Sequence, residues 1–297
     1  MNMDTGTDMG MHTGMGTAMA DTQLAALDTT LAAMALNTGG DRCFALAYSG
    51  GMDSRFLAVA ARRLGYTLTL LHVTGAHLHP QESAYAADWA RTHGYPFKEV
   101  AVDLMPVDAV AHNSPDRCYA CKRVLLGALQ RQAGPLPLVD GSNADDGKAH
   151  RPGRRALLEL GVVSPLAQAG LSKAQIYALA AAWRMDNPNQ PPRPCLLTRL
   201  PYHTRITVEL LQALAQGETA IARTLKEHGL AGVDFRLRVL QPRRCAVHVP
   251  ARDNAAMPGE VRSALRDAVL RAAPLLCGGS AANIGIAGVE KLSGFFD

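Results

Sequence analysis

A glycine-rich turn that follows an apolar run is the first feature of the sequence that could do chemistry. The turn is the hexapeptide SGGMDS at residues 49–54, and it follows the apolar run from Cys43 to Tyr48. Two glycines let successive backbone amides face one point, and a helix starting there adds the positive end of its dipole. Ser49 and Ser54 add hydroxyl groups. The turn predicts a phosphate or pyrophosphate site, although it matches neither GxxxxGK[ST] nor GxGxxG.

Two cysteines, Cys118 and Cys121, stand in a Cys-x-x-Cys spacing that one metal ion or cluster could take as a pair. Their basic neighbours Arg117, Lys122 and Arg123 favour thiolates. A closed zinc site of four cysteines is not expected, because the chain has no second Cys-x-x-Cys. The spacing alone leaves open a metal or cluster site, a redox pair and two unrelated buried thiols.

A third cysteine, Cys195, lies in the proline-bounded segment RPCLLTRLPY at residues 193–202. Arg193, Arg199 and Arg205 are close to it in sequence, which predicts an exposed thiol with a lowered pKa. An incidental loop thiol is the alternative. The remaining cysteines are expected to be structural or incidental: Cys43, Cys245 and Cys277.

The scaffold for these segments is predicted by short apolar runs that alternate with amphipathic helices, a pattern typical of a parallel sheet with crossover helices. Strands are expected at residues 43–48, 67–73, 97–102 and 136–140, and helices at 53–64 and 80–93. In doubly wound sheets, ligands bind outside the carboxyl ends of the strands, so the loops after Tyr48, Val73 and Asp140 are expected to form the site. The predicted fold class is α/β, a doubly wound and mainly parallel sheet with a small C-terminal α+β domain.

Three regions are expected along the chain. A methionine- and glycine-rich leader at residues 1–20 is expected to be disordered, and a first helix to run from Asp21 to Ala35. An α/β domain is expected at residues 21–195, since the proline-rich stretch 187–194 is typical of a boundary. The C-terminal domain, residues 196–297, is expected to hold a helix at 207–228, two strands at 235–240 and 245–249, and a helix at 258–272.

The two strands of the C-terminal domain carry basic side chains with a period of two. Strand alternation places Arg236 and Arg238 on one face, and the partner strand places Arg244 and His248 on one face. A hairpin would gather them into one basic patch. A charged, solvated strand face is the alternative.

Composition excludes several classes of protein. The chain has 297 residues, of which 48% are hydrophobic, so disorder throughout is excluded. A formal net charge of +4 is weak for a dedicated nucleic-acid binder, and no nucleic-acid or membrane partner is expected. No apolar stretch approaches the roughly 20 residues that span a bilayer, and no signal peptide opens the chain. A cytoplasmic protein with reduced cysteines is expected.

The hexapeptide resembles the SGGxDS loop of the PP-loop ATP pyrophosphatases, a fold of the adenine nucleotide α-hydrolase type. Together with four later segments, it makes the chain similar, from about Phe44 to Val249, to the LarE family of ATP-dependent sulfur transferases. That family makes the pyridinium thiocarboxylates of the nickel-pincer nucleotide cofactor. The five segments are SGGMDS, DRCYACK at 116–122, DGSNADD at 140–146, SPLAQAGLSK at 164–173 and PCLLTRLPY at 194–202.

The resemblance implies a set of residue roles. ATP and Mg²⁺ would be the cofactors, and Cys195 and Asp53 the catalytic residues. Three cysteines would hold a 4Fe-4S cluster: Cys118, Cys121 and Cys195. The pyrophosphate would be held by Ser49, Gly50, Gly51, Asp53 and Ser54, with Val73 and Thr74 near the adenosine. The substrate would be bound by Arg199, Arg236 and Arg238.

The activity implied by the resemblance forms AMP and pyrophosphate. A carboxylate of a pyridinium dicarboxylate mononucleotide would be adenylated and then converted to a thiocarboxylate, by a homo-oligomeric enzyme whose sulfide source is unknown. Sulfur would come from a sacrificed Cys195 or, as we favour from the three thiols, from the cluster. A tRNA-thiolating PP-loop enzyme and a non-catalytic nucleotide-regulated Fe-S or metal carrier are the alternatives.

The sequence departs from the family pattern at a few positions. Met52 stands where Val is usual, Leu197-Thr198 where Ala-Ser is frequent, and His203 where Gly is common. A histidine at position 203 leaves the backbone less free than glycine would. Two histidines, His77 and His79, are also unusual in the loop after Val73.

Overall fold

The computed structural model describes residues 11–36, 40–147, 153–191 and 194–296. Within these ranges the strands are β1 Cys43–Ala47, β2 Thr67–Thr74, β3 Phe97–Ala101, β4 Leu138–Asp140, β5 Arg236–Gln241, β6 Arg244–Pro250 and β7 Ile284–Val289. The longer helices are α1 Met11–Leu36, α2 Met52–Arg63, α3 Pro80–Thr92, α5 Arg117–Ala133, α6 Gly153–Glu159, α8 Lys173–Ala182, α9 Val208–Glu227 and α11 Gly259–Ala272. The short helices are α4 Asp108–Ala111, α7 Pro165–Gln168, α10 Ala251–Ala256 and α12 Pro274–Cys277.

The chain divides into two compact units. The first comprises Met1–Val73, Ser83–Val100 and Lys122–Pro192, and the second comprises Thr74–Glu82, Ala101–Cys121 and Arg193–Asp297. No helix within the described ranges is both long enough and apolar enough to cross a membrane.

The first unit is built on a four-stranded sheet with the order β3-β2-β1-β4. Strand β1 pairs in parallel with β2 and with β4, and its last residue, Ala47, pairs with Leu71 of β2 and with Asp140, the last residue of β4. Helices α2 and α3 cross between successive strands, as the alternation of apolar runs predicts. The α/β fold class is therefore confirmed.

Side chains of β1, β2 and the crossover helices form the core of this unit. Phe44, Leu46 and Leu70 from the sheet are fully buried with Phe56 from α2, and Trp89 from α3 is nearly so. The edge strand β3 exposes Lys98 and Glu99 instead, a composition that discourages pairing with another sheet edge.

The beginning of the chain differs from the prediction. Helix α1 begins at Met11 rather than Asp21, so residues 11–20 of the predicted disordered leader are helical, and residues 1–10 lie outside the described residues.

The second unit contains the three-stranded sheet β5-β6-β7. The predicted hairpin is present, since β5 and β6 are antiparallel, but β7 pairs in parallel with β6 and was not predicted. Glycines at positions 285 and 288 weaken its strand pattern. Helix α9 approaches the sheet at Gly217, where an added Cβ would overlap the side chain of Leu237.

Candidate functional site

The SGGMDS turn joins β1 to α2 in the first unit, and its shape depends on glycine. Gly50 has φ +77°, and a Cβ there would lie 2.8 Å from the Cβ of Ala86. Gly51 caps α2 in an extended conformation. The backbone therefore turns sharply at the carboxyl end of β1 and delivers the amides of the first turn of α2 to the sheet edge, where an anion is stabilised.

Hydroxyl and carboxylate side chains fix this turn. The amide of Gly51 donates to Ser49 Oγ at 3.2 Å, and Ser54 Oγ donates to the carbonyl of Gly51 at 2.9 Å. Asp53 Oδ2 accepts from Asn143 Nδ2 at 3.0 Å. The predicted pyrophosphate ligands Ser49, Gly50, Gly51, Asp53 and Ser54 thus lie together in one turn.

The loop after β4 also contributes polar groups. The sequence predicted that this loop would form part of the site, but it did not identify which of its residues would do so. Asp140 Oδ2 accepts from Ser142 Oγ at 2.6 Å, and its Oδ1 accepts from Ser164 Oγ at 2.6 Å. Gly141 follows Asp140, and its own added Cβ would come within 3.0 Å of the backbone of Ser54. The close approach of these two loops places the carboxylate of Asp53 beside Asn143, at the edge where the sheet topology predicts a ligand.

The carboxyl end of β2 supplies the two residues expected near adenosine. Val73 is buried and Thr74 is half-buried, and they end a strand that runs past β1. His72, just before them, donates from Nδ1 to the carbonyl of Tyr48 at 2.9 Å, which ties the strand to the residue that precedes the SGGMDS turn. The SGGMDS turn thus offers backbone amides and hydroxyls of the kind that stabilise phosphate groups.

In the second unit, the Cys195 loop is anchored on both sides. The amide of Leu196 donates to the carbonyl of His77 at 2.9 Å, so the unusual histidine loop lies directly beside the cysteine. Asn113 Nδ2 donates to the carbonyls of Leu200 at 3.1 Å and Pro201 at 2.6 Å. This side chain is completely buried, and it fixes the loop through the segment that leads into α5.

The thiol of Cys195 is not the exposed, acidic thiol that its arginine-rich segment predicts. Cys195 is half-buried. Burial, followed by the charge of the nearby Cys118, raises its pKa, and the opposing effects of Arg199 and Arg117 are smaller. Arg199 forms an ion pair with Glu218, and Arg193 lies outside the described residues. The resting thiol therefore holds its proton.

The Cys-x-x-Cys lies in the first turn of α5, a helix that the sequence did not predict. Cys118 is exposed and Cys121 is buried. Cys118 is close enough to Cys195 for their charges to interact, and Arg117 stacks on the ring of Tyr202 at 4.3 Å. Within the described ranges, however, no group of three or more His, Cys, Asp or Glu residues is placed to hold a metal ion. The three thiols are suitable cluster ligands by type, but among the described residues they do not form such a group.

Arg199 forms a buried ion pair that sequence reasoning missed. Its Nε lies 2.7 Å from Glu218 Oε1, and the two side chains are only 5% and 10% exposed. The same Oε1 accepts from the amide of Leu237 at 3.0 Å, and Arg199 also donates to Thr198 Oγ1 at 2.8 Å. The pair connects helix α9, strand β5 and the Cys195 loop.

The predicted basic patch forms on the hairpin. Arg236 lies opposite His248 and Arg238 opposite Ala246, so both arginines and the histidine share one face. All three are buried, whereas Arg244 is exposed beside the turn and does not join them. Burial and the charge of Arg238 lower the pKa of His248 to about 4, so its neutral Nδ1 accepts from Arg238 at 2.7 Å. Buried guanidinium groups of this kind suit a phosphate ligand.

Comparison with known proteins gives three relevant similarities, although no protein-family model matches the chain. An uncharacterised protein of Synechocystis sp. is 35% identical over 182 residues, which are 60% of this chain and 68% of the relative. An uncharacterised protein of Methanocaldococcus jannaschii is 29% identical over 187 residues, 61% of this chain and 70% of the relative. Pyridinium-3,5-bisthiocarboxylic acid mononucleotide synthase of Lactiplantibacillus plantarum is 29% identical over 167 residues, 54% of this chain and 60% of the synthase.

The similarity to the synthase supports the LarE-like relationship that the five sequence segments indicated, and it agrees with the α/β fold of the first unit. The identity with the Synechocystis protein is higher and covers more than two thirds of that relative. The chain therefore belongs to the same family as the Synechocystis protein.

Proposed function

We propose that the protein is an ATP-dependent sulfur transferase that converts a carboxylate of a pyridinium dicarboxylate mononucleotide to a thiocarboxylate. The observation that carries the proposal is the SGGMDS turn, which is folded between strand and helix with Gly50 at positive φ. The similarity to a named synthase of such a product supports the choice of substrate. Cys195 supplies the sulfur. The buried arginines of the second unit, Arg236 and Arg238, supply the affinity for phosphate.

The first step is adenylation of the substrate. An oxygen of the substrate carboxylate attacks the α phosphorus of ATP, and the bond from that phosphorus to the bridging oxygen of the β phosphate breaks. Pyrophosphate leaves with the negative charge, and the amides at the start of α2 and the hydroxyls of Ser49 and Ser54 stabilise it. Mg²⁺, which binds one or two carboxylates together with phosphate oxygens, would take Asp53 as a ligand and neutralise phosphate charge.

The second step transfers sulfur to the acyl adenylate. The thiol of Cys195 gives its proton to water, its sulfur attacks the acyl carbon, the bond from that carbon to the phosphate oxygen breaks, and AMP leaves, which produces a thioester. Removal of the Cys195 α proton then breaks the bond between Cβ and sulfur, so the thiocarboxylate departs and dehydroalanine remains. The acyl group activated by AMP is the electrophile that the deprotonated sulfur attacks.

A 4Fe-4S cluster on Cys118, Cys121 and Cys195, the source that the sequence favours, is the second candidate for the sulfur. Such a cluster would supply a bound sulfide in place of the cysteine sulfur. Among the described residues the three thiols do not form a group that would hold a metal ion. Iron and acid-labile sulfide analysis of anaerobically purified protein, with mass spectrometry of Cys195 after turnover, separates the two routes. Loss of one hydrogen sulfide from Cys195 supports sacrifice, and an unchanged thiol in an iron-containing protein supports the cluster.

The proposal is tested by pyrophosphate release from ATP, with and without a pyridinium dicarboxylate mononucleotide. Release is expected only with the substrate, and Asp53→Asn is expected to abolish it. Cys195→Ser keeps the adenylation step and loses the thiocarboxylate, whereas Cys43→Ser, at a half-buried strand position, keeps both. Release that is independent of the carboxylate, or no release under any condition, would contradict the proposal, and the second result would favour the carrier alternative.

We also propose a homo-oligomer as the functional form, on the family resemblance alone. Sedimentation of the purified full-length protein tests it, and a monomer at micromolar concentration would contradict it.

A further inference from the structure

The segment Leu292–Phe296, which follows β7, covers Arg238, one of the two buried arginines of β5. The carbonyl of Leu292 accepts a hydrogen bond from Arg238, and the ring of Phe295 lies 4.5 Å from the centre of the Arg238 guanidinium. The same ring meets His248 edge-on, with centroids 4.5 Å apart. We call Leu292–Phe296 the strap.

The strap reaches Arg238 by a turn whose backbone conformation favours glycine. Gly294 has φ +66° and lies between Leu292 and Phe295, so the chain bends back after its first contact and brings the ring onto the guanidinium. A Cβ at Gly294 would meet no atom within 4 Å, so only the backbone conformation favours glycine there. Phe295 stays 43% exposed while it packs on Arg238, so the contact covers the arginine without being part of the core.

Under the strap, Arg238 is only 2% exposed, and its hydrogen-bond acceptors carry no charge. One terminal nitrogen donates to neutral His248, the other donates to the carbonyl of Leu292, and Nε has no hydrogen-bond partner among the described residues. A phosphate oxygen is a stronger acceptor for a guanidinium than a peptide carbonyl, because the bond is then charge-assisted on both sides. The position that a phosphate would use is therefore held by a weaker, replaceable acceptor.

We propose that the strap competes with phosphate at Arg238: it closes the site in the free protein and is displaced when the phosphate monoester of the substrate binds. The proposal rests on the assignment of Arg236 and Arg238 to substrate phosphate in the proposed function. The apparent affinity for phosphate is then reduced by the fraction of molecules in which the strap is closed. Weakening the strap raises that affinity without adding a contact to the ligand.

The test measures binding of inorganic phosphate to the full-length protein by calorimetry. Phe295→Ala removes the ring contact, and a chain ending at Glu290 removes the whole strap. A cation–π contact at a partly exposed site corresponds to roughly a two- to fivefold change in affinity, so Phe295→Ala is expected to bind phosphate about two- to fivefold more tightly. The shortened chain is expected to bind phosphate at least as tightly as Phe295→Ala does. Leu275→Ala, an exposed residue of the same unit, is the matched control and is expected to bind as the unaltered protein does.

Hydrogen exchange supplies a second readout. Saturating phosphate is expected to speed amide exchange in residues 292–296 of the unaltered protein, and Arg238→Ala is expected to remove that response. Equal phosphate affinity with and without the strap, or weaker binding by Phe295→Ala, would overturn the competition and leave the phosphate assignment standing. Failure of both the unaltered and the shortened protein to bind phosphate would overturn the assignment and the strap together.

Discussion

The buried ion pair of Arg199 and Glu218 gives the sharpest test of how the second unit is held together. Both side chains are almost fully buried, and Arg199 Nε and Glu218 Oε1 are 2.7 Å apart. Removing one partner of such a pair leaves an uncompensated buried charge, which costs about 3–5 kcal/mol. Glu218→Gln keeps an oxygen that can accept the hydrogen bond from the amide of Leu237. The loss of stability in this variant therefore measures the effect of removing the negative charge. We expect it to lower the free energy of unfolding by about 3 kcal/mol, out of a typical total of about 5–15 kcal/mol.

A double-mutant cycle isolates the interaction between the two side chains. Arg199→Met removes the cation and keeps most of the apolar stem, and Arg199→Met combined with Glu218→Gln buries no charge at this position. The double variant is therefore expected to be more stable than the sum of the single changes predicts, by about 2 kcal/mol or more. Urea unfolding followed by circular dichroism measures all four proteins.

The matched control for this cycle lies on the same helix. Glu227→Gln makes the same substitution in an exposed pair with Arg223, whose atoms are 3.8 Å apart. An exposed pair contributes about 0–1 kcal/mol, so this variant should unfold nearly as the unaltered protein does. A loss of stability in Glu218→Gln no larger than that in Glu227→Gln, or a double variant whose loss equals the sum of the two single losses, would contradict a penalty for buried charge.

Three further changes test local structure. Gly50 has φ +77°, and Gly50→Ala would place a Cβ 2.8 Å from the Cβ of Ala86, so we expect this variant to lose ATP-dependent pyrophosphate release. Gly65 has φ +82° and no atom near its added Cβ, so the control Gly65→Ala should retain release and lose about 1 kcal/mol of stability. His203 adopts φ +65°, so His203→Gly should raise the free energy of unfolding by about 0.5–1 kcal/mol, and a lowered value would show that the strain is absent. His248 has a folded pKa of about 4, below the ordinary value of 6.5, so its stabilising contribution is present above pH 6.5 and is lost as the pH falls towards 4. His248→Asn should flatten that part of the stability profile, and an unchanged slope would contradict the assignment.

The sequence was sufficient to predict the features that depend on local pattern. The SGGMDS turn, the loop after Asp140 and the hairpin that carries Arg236 and Arg238 were all predicted, because glycine, strand alternation and strand–helix order act over a few residues. The boundaries of β4 and the existence of β7 were not, since a three-residue strand and a glycine-containing strand form through pairing with distant neighbours.

The state of Cys195 could not be predicted, because a pKa depends on what surrounds the thiol in three dimensions. The sequence places arginines near Cys195, and proximity alone would lower its pKa. In the folded chain Arg199 is paired with an acid 19 residues away, and burial of the thiol outweighs the remaining positive charges. The contact of the strap with Arg238 could not be predicted either, because no sequence pattern near Leu292 or Phe295 indicates that they meet Arg238.

The position of Glu218, by contrast, carried a signal that helical periodicity makes available. In α9 the buried residues include Leu211, Leu214, Ile221 and Leu225, and Glu218 lies on the same stripe at the spacing of about 3.6 residues that an apolar face follows. A carboxylate on that face is too costly to bury alone, so it must have a cation or several donors as partners. An acid on an apolar helical stripe therefore predicts a buried ion pair. The arginine that meets it here belongs to the loop of the candidate sulfur donor, which makes the pair a support of the reactive segment as well as of the fold.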